Sequence, residues 1–162
     1  MAFTVFDIDG VLADVRHRLH HLHTRPKQWN AFFAAAVHDP VLEPGRVAVQ
    51  EAQDAGSAIV YVTGRPRRYH RDTRDWLSRH GLPEGPLHMR PNHDRRPARF
   101  YKADVIAGLA REGELVAVVD DDDQVVAHLR DLGLPVVHAT WMNEDAEQLD
   151  LLSQAQETEG RT

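Results

Sequence analysis

Short apolar runs alternate with amphipathic stretches along most of this chain. The runs have the length and β-branched composition of buried strands, and they occupy residues 3–8, 57–62, 86–89, 115–119 and 135–139. Between them, apolar residues recur at helical spacing in segments that begin near Pro44, Arg68, Ala98 and Asp123. This alternation predicts an α/β fold with a parallel five-stranded sheet and helices on both of its faces.

One segment, residues 13–43, interrupts the alternation between the first strand and the helix at Pro44. Within it, QWNAFFAAAV predicts a short helix with Trp29, Phe32 and Phe33 on its apolar face, and the turn-forming HDPVLEPG follows. Ligands of open α/β sheets bind at the carboxyl ends of the strands, so an insertion here predicts a small cap over those ends. We expect one domain over residues 1–150 and a frayed polar tail over 151–162.

Composition narrows the possibilities. The 162 residues, 42% of them apolar, are enough for one core, and the lack of cysteine excludes disulfides, thiolate nucleophiles and cysteine-ligated metals. The chain runs directly into its first strand, and its longest apolar stretch, 31–37, is too short to span a bilayer. We therefore expect a cytoplasmic protein that does not associate with membranes, and the oligomeric state stays open.

Charge is unevenly distributed around a net value of −6. Residues 65–102 hold eleven of the nineteen lysines and arginines against four acidic residues. These cations could follow the phosphates of a nucleic acid, or they could lie on solvated helix faces and pair with Asp72, Asp75 and Asp94. The sequence leaves both interpretations open.

Two carboxylates, Asp7 and Asp9, follow the first strand directly. Residues two apart in an extended chain face the same way, and unpaired carboxylates at a buried strand end repel each other. A divalent cation resolves this, since Mg²⁺ prefers one or two carboxylates together with water and phosphate oxygens. The alternative is a simple Asp-Gly turn at Gly10.

Three further signals fall at other strand or helix ends. Thr63 and Gly64 end the second strand, where a hydroxyl and a free amide can bind phosphate oxygens. Lys102 lies near the start of the third helix, and Asp120 and Asp121 end the fourth strand. Together these signals indicate a phosphate and metal site at one edge of the sheet.

The motifs DIDGVLAD, VTGR, the lysine of YKADVI and VVDDDD resemble those of the haloacid dehalogenase-like (HAD) phosphohydrolases over residues 3–142. The resemblance implies a Rossmann-like HAD fold. It also implies that Asp7 is the nucleophile that forms an aspartyl-phosphate, that Asp9 is the general acid and base, and that Thr63 and Lys102 hold the phosphoryl group.

The same resemblance implies a Mg²⁺ cofactor bound by Asp7, the backbone carbonyl of Asp9, and Asp120. Either Asp121 or a later aspartate of the four-residue run is the second acidic partner. Val11 stands where many members carry threonine.

A narrower resemblance is to the 3′-phosphatase domain of phage-type polynucleotide kinases, on YHRDTRDWL, HMRPNHDRRP, YKADVI and DDDDQVVAHLRDLGLPV. It implies that Arg18, Gly64 and Arg65 bind substrate and that the enzyme removes 3′-phosphates from DNA or RNA ends. A small cap is expected to leave the strand ends open to such a polymer. The alternatives are a phosphatase of nucleotides or other small phosphometabolites and a catalytically idle module that binds nucleic acid or a partner. This sequence contains no GxxxxGK[ST] loop, so we expect no kinase activity.

Histidines cluster in the predicted cap at positions 17, 20, 21 and 23. His17 and His21 have the i, i+4 spacing of a zinc site, but no third ligand is evident, which favours a polar cap surface. Trp29 is the candidate for base stacking, whereas Trp76 and Trp141 are expected in the core or at an interface.

Overall fold

A computed structural model, which describes residues 1–142 and 151–160, contains a five-stranded parallel sheet. The strands are β1 Ala2–Phe6, β2 Ala58–Pro66, β3 Leu87–Arg90, β4 Glu114–Asp120 and β5 Val136–His138. Their order is β3-β2-β1-β4-β5, so β1 is central. After β3 the chain crosses to the other side of β1, where β4 and β5 lie. The predicted fold class is confirmed.

Within residues 1–142, five α-helices accompany the strands: α1 Trp29–Ala34, α2 Glu43–Asp54, α3 His70–Arg79, α4 Ala98–Glu112 and α5 Asp123–Asp131. Helices α2 and α3 pack on one face of the sheet, and α4 and α5 on the other, because alternate residues of each strand point to opposite faces. Trp76 of α3 is fully buried in the first of these cores. Among the described residues, no helix is long and apolar enough to cross a membrane.

Residues 13–43, which we call the cap, consist mainly of short helical turns. They include α1 and the 3-10 helices Arg16–Leu22 and Ala35–His38. The cap has its own apolar cluster, which contains Val15, Leu19, Leu22, Phe32 and Phe33. Trp29 lies against Phe32 and Phe33, with ring centroids 6.1 Å from each, so it packs within the cap.

Residues 151–160 are packed, which corrects the expectation of a frayed tail. Leu152 and Ala155 are buried in the apolar cluster of the cap, and a π-helical turn spans Gln154–Thr158. These two apolar residues are three positions apart and therefore share one helical face. With Leu151 as the only other apolar residue of the segment, this pattern is too weak to predict packing from sequence.

Candidate active site

The carboxyl ends of β1, β2 and β4 bring the predicted catalytic residues together. Phe6 pairs with both Tyr61 and Val119, and the backbone N–H of Asp7 donates to the carbonyl of Val119 at 3.0 Å. Asp7 therefore lies beside the strand ends that carry Thr63 and Asp120.

These groups are closed off from solvent. Exposure is 2% or less for Asp7, Asp9, Thr63, Lys102 and Asp120. The expectation that a small cap leaves the strand ends open is thus wrong for this conformation, because the site side chains are buried and Arg18 of the cap binds Asp9 at this end of the sheet.

Lys102 lies between the carboxylates at the ends of β1 and β4 and forms an ion pair with each. Its Nζ lies 2.7 Å from Asp120 Oδ2 and 3.2 Å from Asp7 Oδ1. Burial alone would lower the pKa of Lys102, but the two carboxylates raise this pKa well above its ordinary value. The ammonium is therefore charged at neutral pH and lies between the carboxylates of Asp7 and Asp120.

Asp7, Asp120 and Asp121 bring carboxylate oxygens within 4.8 Å of one another. Asp7 Oδ2 and Asp121 Oδ1 are buried and accept no hydrogen bond. Burial raises the pKa of Asp7 to about 7, against the lowering effect of Lys102 and with the repulsion of Asp120 and Asp9. An all-oxygen donor set with two unpartnered buried atoms fits Mg²⁺.

The four-aspartate run divides its members among different tasks. Asp120 accepts from Lys102 and, through Oδ1, from the backbone N–H of Asp122 at 3.0 Å. Asp122 accepts from the backbone N–H groups of Gln124 and Val125 and so caps α5. Asp121, rather than Asp122, is thereby left to face Asp7.

Gly10 makes room for Asp121. Its φ is +81°, and a Cβ there would lie 2.1 Å from Asp121 Oδ2. Any side chain at this position would both strain the turn and displace the carboxylate from the acidic cluster.

Asp9 faces the cap rather than the acidic cluster. Its Oδ1 accepts from Arg18 Nη2 at 2.8 Å, and from Arg65 at 2.6 Å from Nη2 and 3.0 Å from Nε. Both guanidinium groups are almost completely buried. The two arginines that were predicted to bind substrate thus hold the Asp9 carboxylate in this structure.

Asp39 is a site residue that the sequence did not reveal. It is buried in the turn after the cap helices and accepts from Arg18 Nε at 2.8 Å and from Arg65 Nη2 at 3.2 Å. His17 Nε2 lies 2.6 Å from its Oδ1, and its carbonyl accepts from Trp76 Nε1 at 2.9 Å. The available signal was HDP, which is equally typical of a surface turn.

The end of β2 is held by a second missed residue, Arg90. Its buried guanidinium donates to the carbonyl of Gly64 at 3.0 Å and to that of Arg96 at 2.7 Å. Thr63 Oγ1 accepts from the backbone N–H of Arg65 at 3.2 Å. Arg90 therefore fixes the loop on which Thr63 and Gly64 lie.

The histidine-rich segment forms no zinc site among the described residues, where the acidic cluster is the only group of potential metal ligands. His21 instead lies 3.3 Å from Gln28 through Nδ1, and His20 lies 3.0 Å from the carbonyl of His17. The polar-surface interpretation of this segment agrees with these contacts.

The exposed arginines of the basic segment, residues 65–102, differ in whether they form ion pairs. Arg96 pairs with Asp94 and Asp104 at 3.0 and 2.7 Å, as expected for a solvated surface. Arg67 and Arg68 are exposed, and within residues 1–142 and 151–160 neither forms an ion pair, although Arg68 lies over the ring of Tyr69.

A parallel sheet in this order, with acidic groups where its central strands end, is the arrangement of the HAD fold, and this chain has that fold. More narrowly, residues 2–141 match the family described as the polynucleotide kinase PNKP phosphatase domain, and the chain belongs to that family.

Solved structures with this fold include a chain of the Pnkp1/Rnl/Hen1 RNA repair complex, with a TM-score of 0.73 at 22% identity, covering 85% of this chain and 42% of that one. Another is the class C acid phosphatase from Bacillus anthracis, with a TM-score of 0.63 at 13% identity, covering 93% and 77%.

Among curated proteins, the membrane-associated phosphatidylinositol transfer protein 3 of Mus musculus is 36% identical over 85 residues, which are 49% of this chain and 9% of that protein. The human protein of the same name matches equally. The chain thus spans less than a tenth of the length of these curated relatives.

Proposed function

We propose that this chain is a Mg²⁺-dependent phosphomonoesterase that acts through an aspartyl-phosphate at Asp7 and removes 3′-phosphates from nucleic-acid ends. The observation that carries the proposal is the state of the Asp7 carboxylate. Its Oδ1 is paired with Lys102, while its buried Oδ2 has no hydrogen-bond partner. A buried, oriented carboxylate of this kind can use one oxygen to bind a cation and the other to attack phosphorus.

Asp7, Asp120 and Asp121, together with the Asp9 carbonyl, would hold Mg²⁺, which supplies positive charge that neutralises the phosphoryl oxygens and the carboxylates around them. One oxygen of the Asp7 carboxylate forms the new bond to phosphorus as the ester P–O bond breaks, while the other oxygen stays available to the cation. Lys102 and Thr63, with the Gly64 amide, hold the phosphoryl oxygens.

Asp9 moves the protons. It donates one to the departing 3′-oxygen, and it then accepts one from the water that attacks the aspartyl-phosphate, which releases phosphate and restores Asp7. Arg18 and Arg65 hold the Asp9 carboxylate in place through its Oδ1. The arginines therefore serve acid–base catalysis by orientation rather than by touching the substrate.

The choice of a nucleic-acid substrate rests on the exposed cations next to β2. Arg67 and Arg68 follow Arg65 by two and three residues, and neither is neutralised by a carboxylate within the described chain. Cations left unpaired beside a phosphate site can bind flanking phosphates of a polymer. The descriptions of the family and of the RNA repair complex agree with this substrate class.

The test compares a 3′-phosphorylated oligonucleotide with a 3′-mononucleotide. We expect a higher kcat/KM for the oligonucleotide, falling with salt by about 0.7 log units per log unit for each phosphate bound. Arg67→Ala with Arg68→Ala should remove this advantage. The control, Arg111→Ala with Arg130→Ala, changes two exposed arginines near the carboxyl ends of α4 and α5. Equal kcat/KM for both substrates at low salt would overturn the polymer assignment.

The second candidate is a phosphatase of nucleotides or other small phosphometabolites. One observation favours it: the catalytic groups are enclosed, and an enclosed site suits a small substrate better than a chain end. The same comparison of substrates distinguishes the two candidates.

A further inference from the structure

Substrate cannot reach Asp7 in this conformation, because every catalytic side chain is at most 2% exposed. Some covering element must therefore move. The cap is a poor candidate, since its Arg18 and Asp39 are joined to Asp9 and Arg65 by buried hydrogen bonds. Among the described residues, the other element that packs beside the cap at this end is residues 151–160, which we call the strap.

The strap crosses the carboxyl end of the sheet from the cap to α4. Leu152 and Ala155 pack in the cap cluster. At the far end, Gly160 lies so close to the backbone of Arg95 that a Cβ would be 2.1 Å from its carbonyl oxygen. The strap thus bridges two sides of the closed site.

The described strap carries two acidic residues and no basic ones, and both carboxylates meet cations. Glu157 Oε2 lies 2.5 Å from Arg99 in the first turn of α4, and Glu159 pairs with Lys27 of the cap. These contacts place two anionic groups on two cations that flank the site.

The contact of Glu157 is poorly compensated. Its side chain is 3% exposed and its Oε1 is buried without a hydrogen-bond partner. A buried carboxylate that leaves one oxygen unsatisfied can be displaced by a ligand that satisfies the same cation better.

We propose that the strap is an autoinhibitory pseudo-substrate: Glu157 and Glu159 occupy, on Arg99 and Lys27, the positions that backbone phosphates of the nucleic-acid substrate take when it enters. Glu157 offers Arg99 only its Oε2, whereas a backbone phosphate can offer the guanidinium both of its non-bridging oxygens and so replace this carboxylate. The identity of the displacing ligand rests on the proposed function, whereas closure by the strap does not.

The first experiment removes the carboxylates in the full chain. Glu157→Ala with Glu159→Ala should raise kcat/KM for p-nitrophenyl phosphate about three- to tenfold, because loss of two partly buried ion pairs favours the open state. The matched control is Glu112→Ala with Glu114→Ala, two exposed acidic residues near the amino-terminal end of the sheet. It should leave the rate unchanged. A rate in the strap variant that is unchanged or lower, with thermal unfolding intact, would overturn closure by the strap.

The second experiment removes the cations, and the expected effects have opposite signs for two substrates. Arg99→Gln with Lys27→Gln also frees the strap, so turnover of p-nitrophenyl phosphate should rise. For a 3′-phosphorylated oligonucleotide, kcat/KM should fall at low salt, and the salt slope should shrink by about 1.4 for two lost phosphate contacts. An unchanged salt slope would overturn the phosphate assignment. If no oligonucleotide is hydrolysed while the p-nitrophenyl phosphate results hold, the proposed substrate fails and the closure stands.

Discussion

The two halves of the active site compensate buried charge in different ways. The metal-facing half sets Asp7, Asp120 and Asp121 against the single cation Lys102, and two carboxylate oxygens stay without partners. The cap-facing half pairs two aspartates with two arginines and is neutral without any added ion. Because an uncompensated buried charge is costly, the Mg²⁺ that we propose would balance the excess negative charge of the first half.

In the cap-facing half, Asp9 and Asp39 meet Arg18 and Arg65 with multiple hydrogen bonds of 2.6 to 3.2 Å. In the proposed mechanism, this half orients the proton-transfer group Asp9, which needs a fixed geometry throughout the reaction. The difference indicates that buried carboxylates without hydrogen-bond partners mark a position for a ligand, whereas carboxylates paired with arginines are held in a fixed orientation.

The largest effect is expected in the metal-facing half. Asp7→Asn keeps the shape of the side chain but removes the attacking charge, so phosphate release should fall by about 10⁴-fold or more. The metal-free variant should unfold at a temperature no lower than the wild type, since one repelled carboxylate is gone. Substantial residual activity would contradict the covalent mechanism.

In the cap-facing half, Asp39→Asn should cost about 3–5 kcal/mol of stability, because two buried guanidinium groups then share one carboxylate. The kcat should fall about 100-fold as Asp9 loses its orientation, with the Mg²⁺ requirement unchanged. Urea unfolding and steady-state kinetics measure both. Asp131→Asn, an exposed aspartate at the end of α5, is the control and should change neither.

Asp121→Asn tests the excess of negative charge in the metal-facing half. It removes charge from the half that has an excess, so the metal-free protein should keep or gain stability, while the Mg²⁺ concentration for half-maximal activity should rise about tenfold or more. A Mg²⁺ titration and thermal unfolding in EDTA test this. If Asp122→Asn shifts the titration instead, the assignment within the run is wrong.

The smallest effect is expected at the rim of the cap-facing half. His17→Gln removes the imidazole that approaches Asp39, but Arg18 and Arg65 still bind that carboxylate. The change should cost about 1 kcal/mol or less and alter kcat less than threefold. A much larger loss of kcat would mean that His17 itself takes part in proton transfer.

Most of the fold was predictable from sequence. The strands, the four long helices and the cap insertion follow from apolar periodicity and turn residues, which are local properties. The joint location of Asp7, Thr63 and Asp120 also followed, because parallel strands place their carboxyl ends at one edge. The assignment of Asp122 was accessible too, since an aspartate before a helical run is a typical N-cap.

The sequence by itself determined the fold, the strand-end residues and the family motifs, because each depends on neighbours in the chain. Only the tertiary structure decided the pairing of Asp39 with Arg65, 26 residues apart, and the contact of Glu157 with Arg99, 58 residues apart. Neither pairing leaves a periodic signal. Which buried charges meet depends on how the cap and the strap pack over the sheet, since burial makes unpaired charge costly and selects among partners that are distant in sequence.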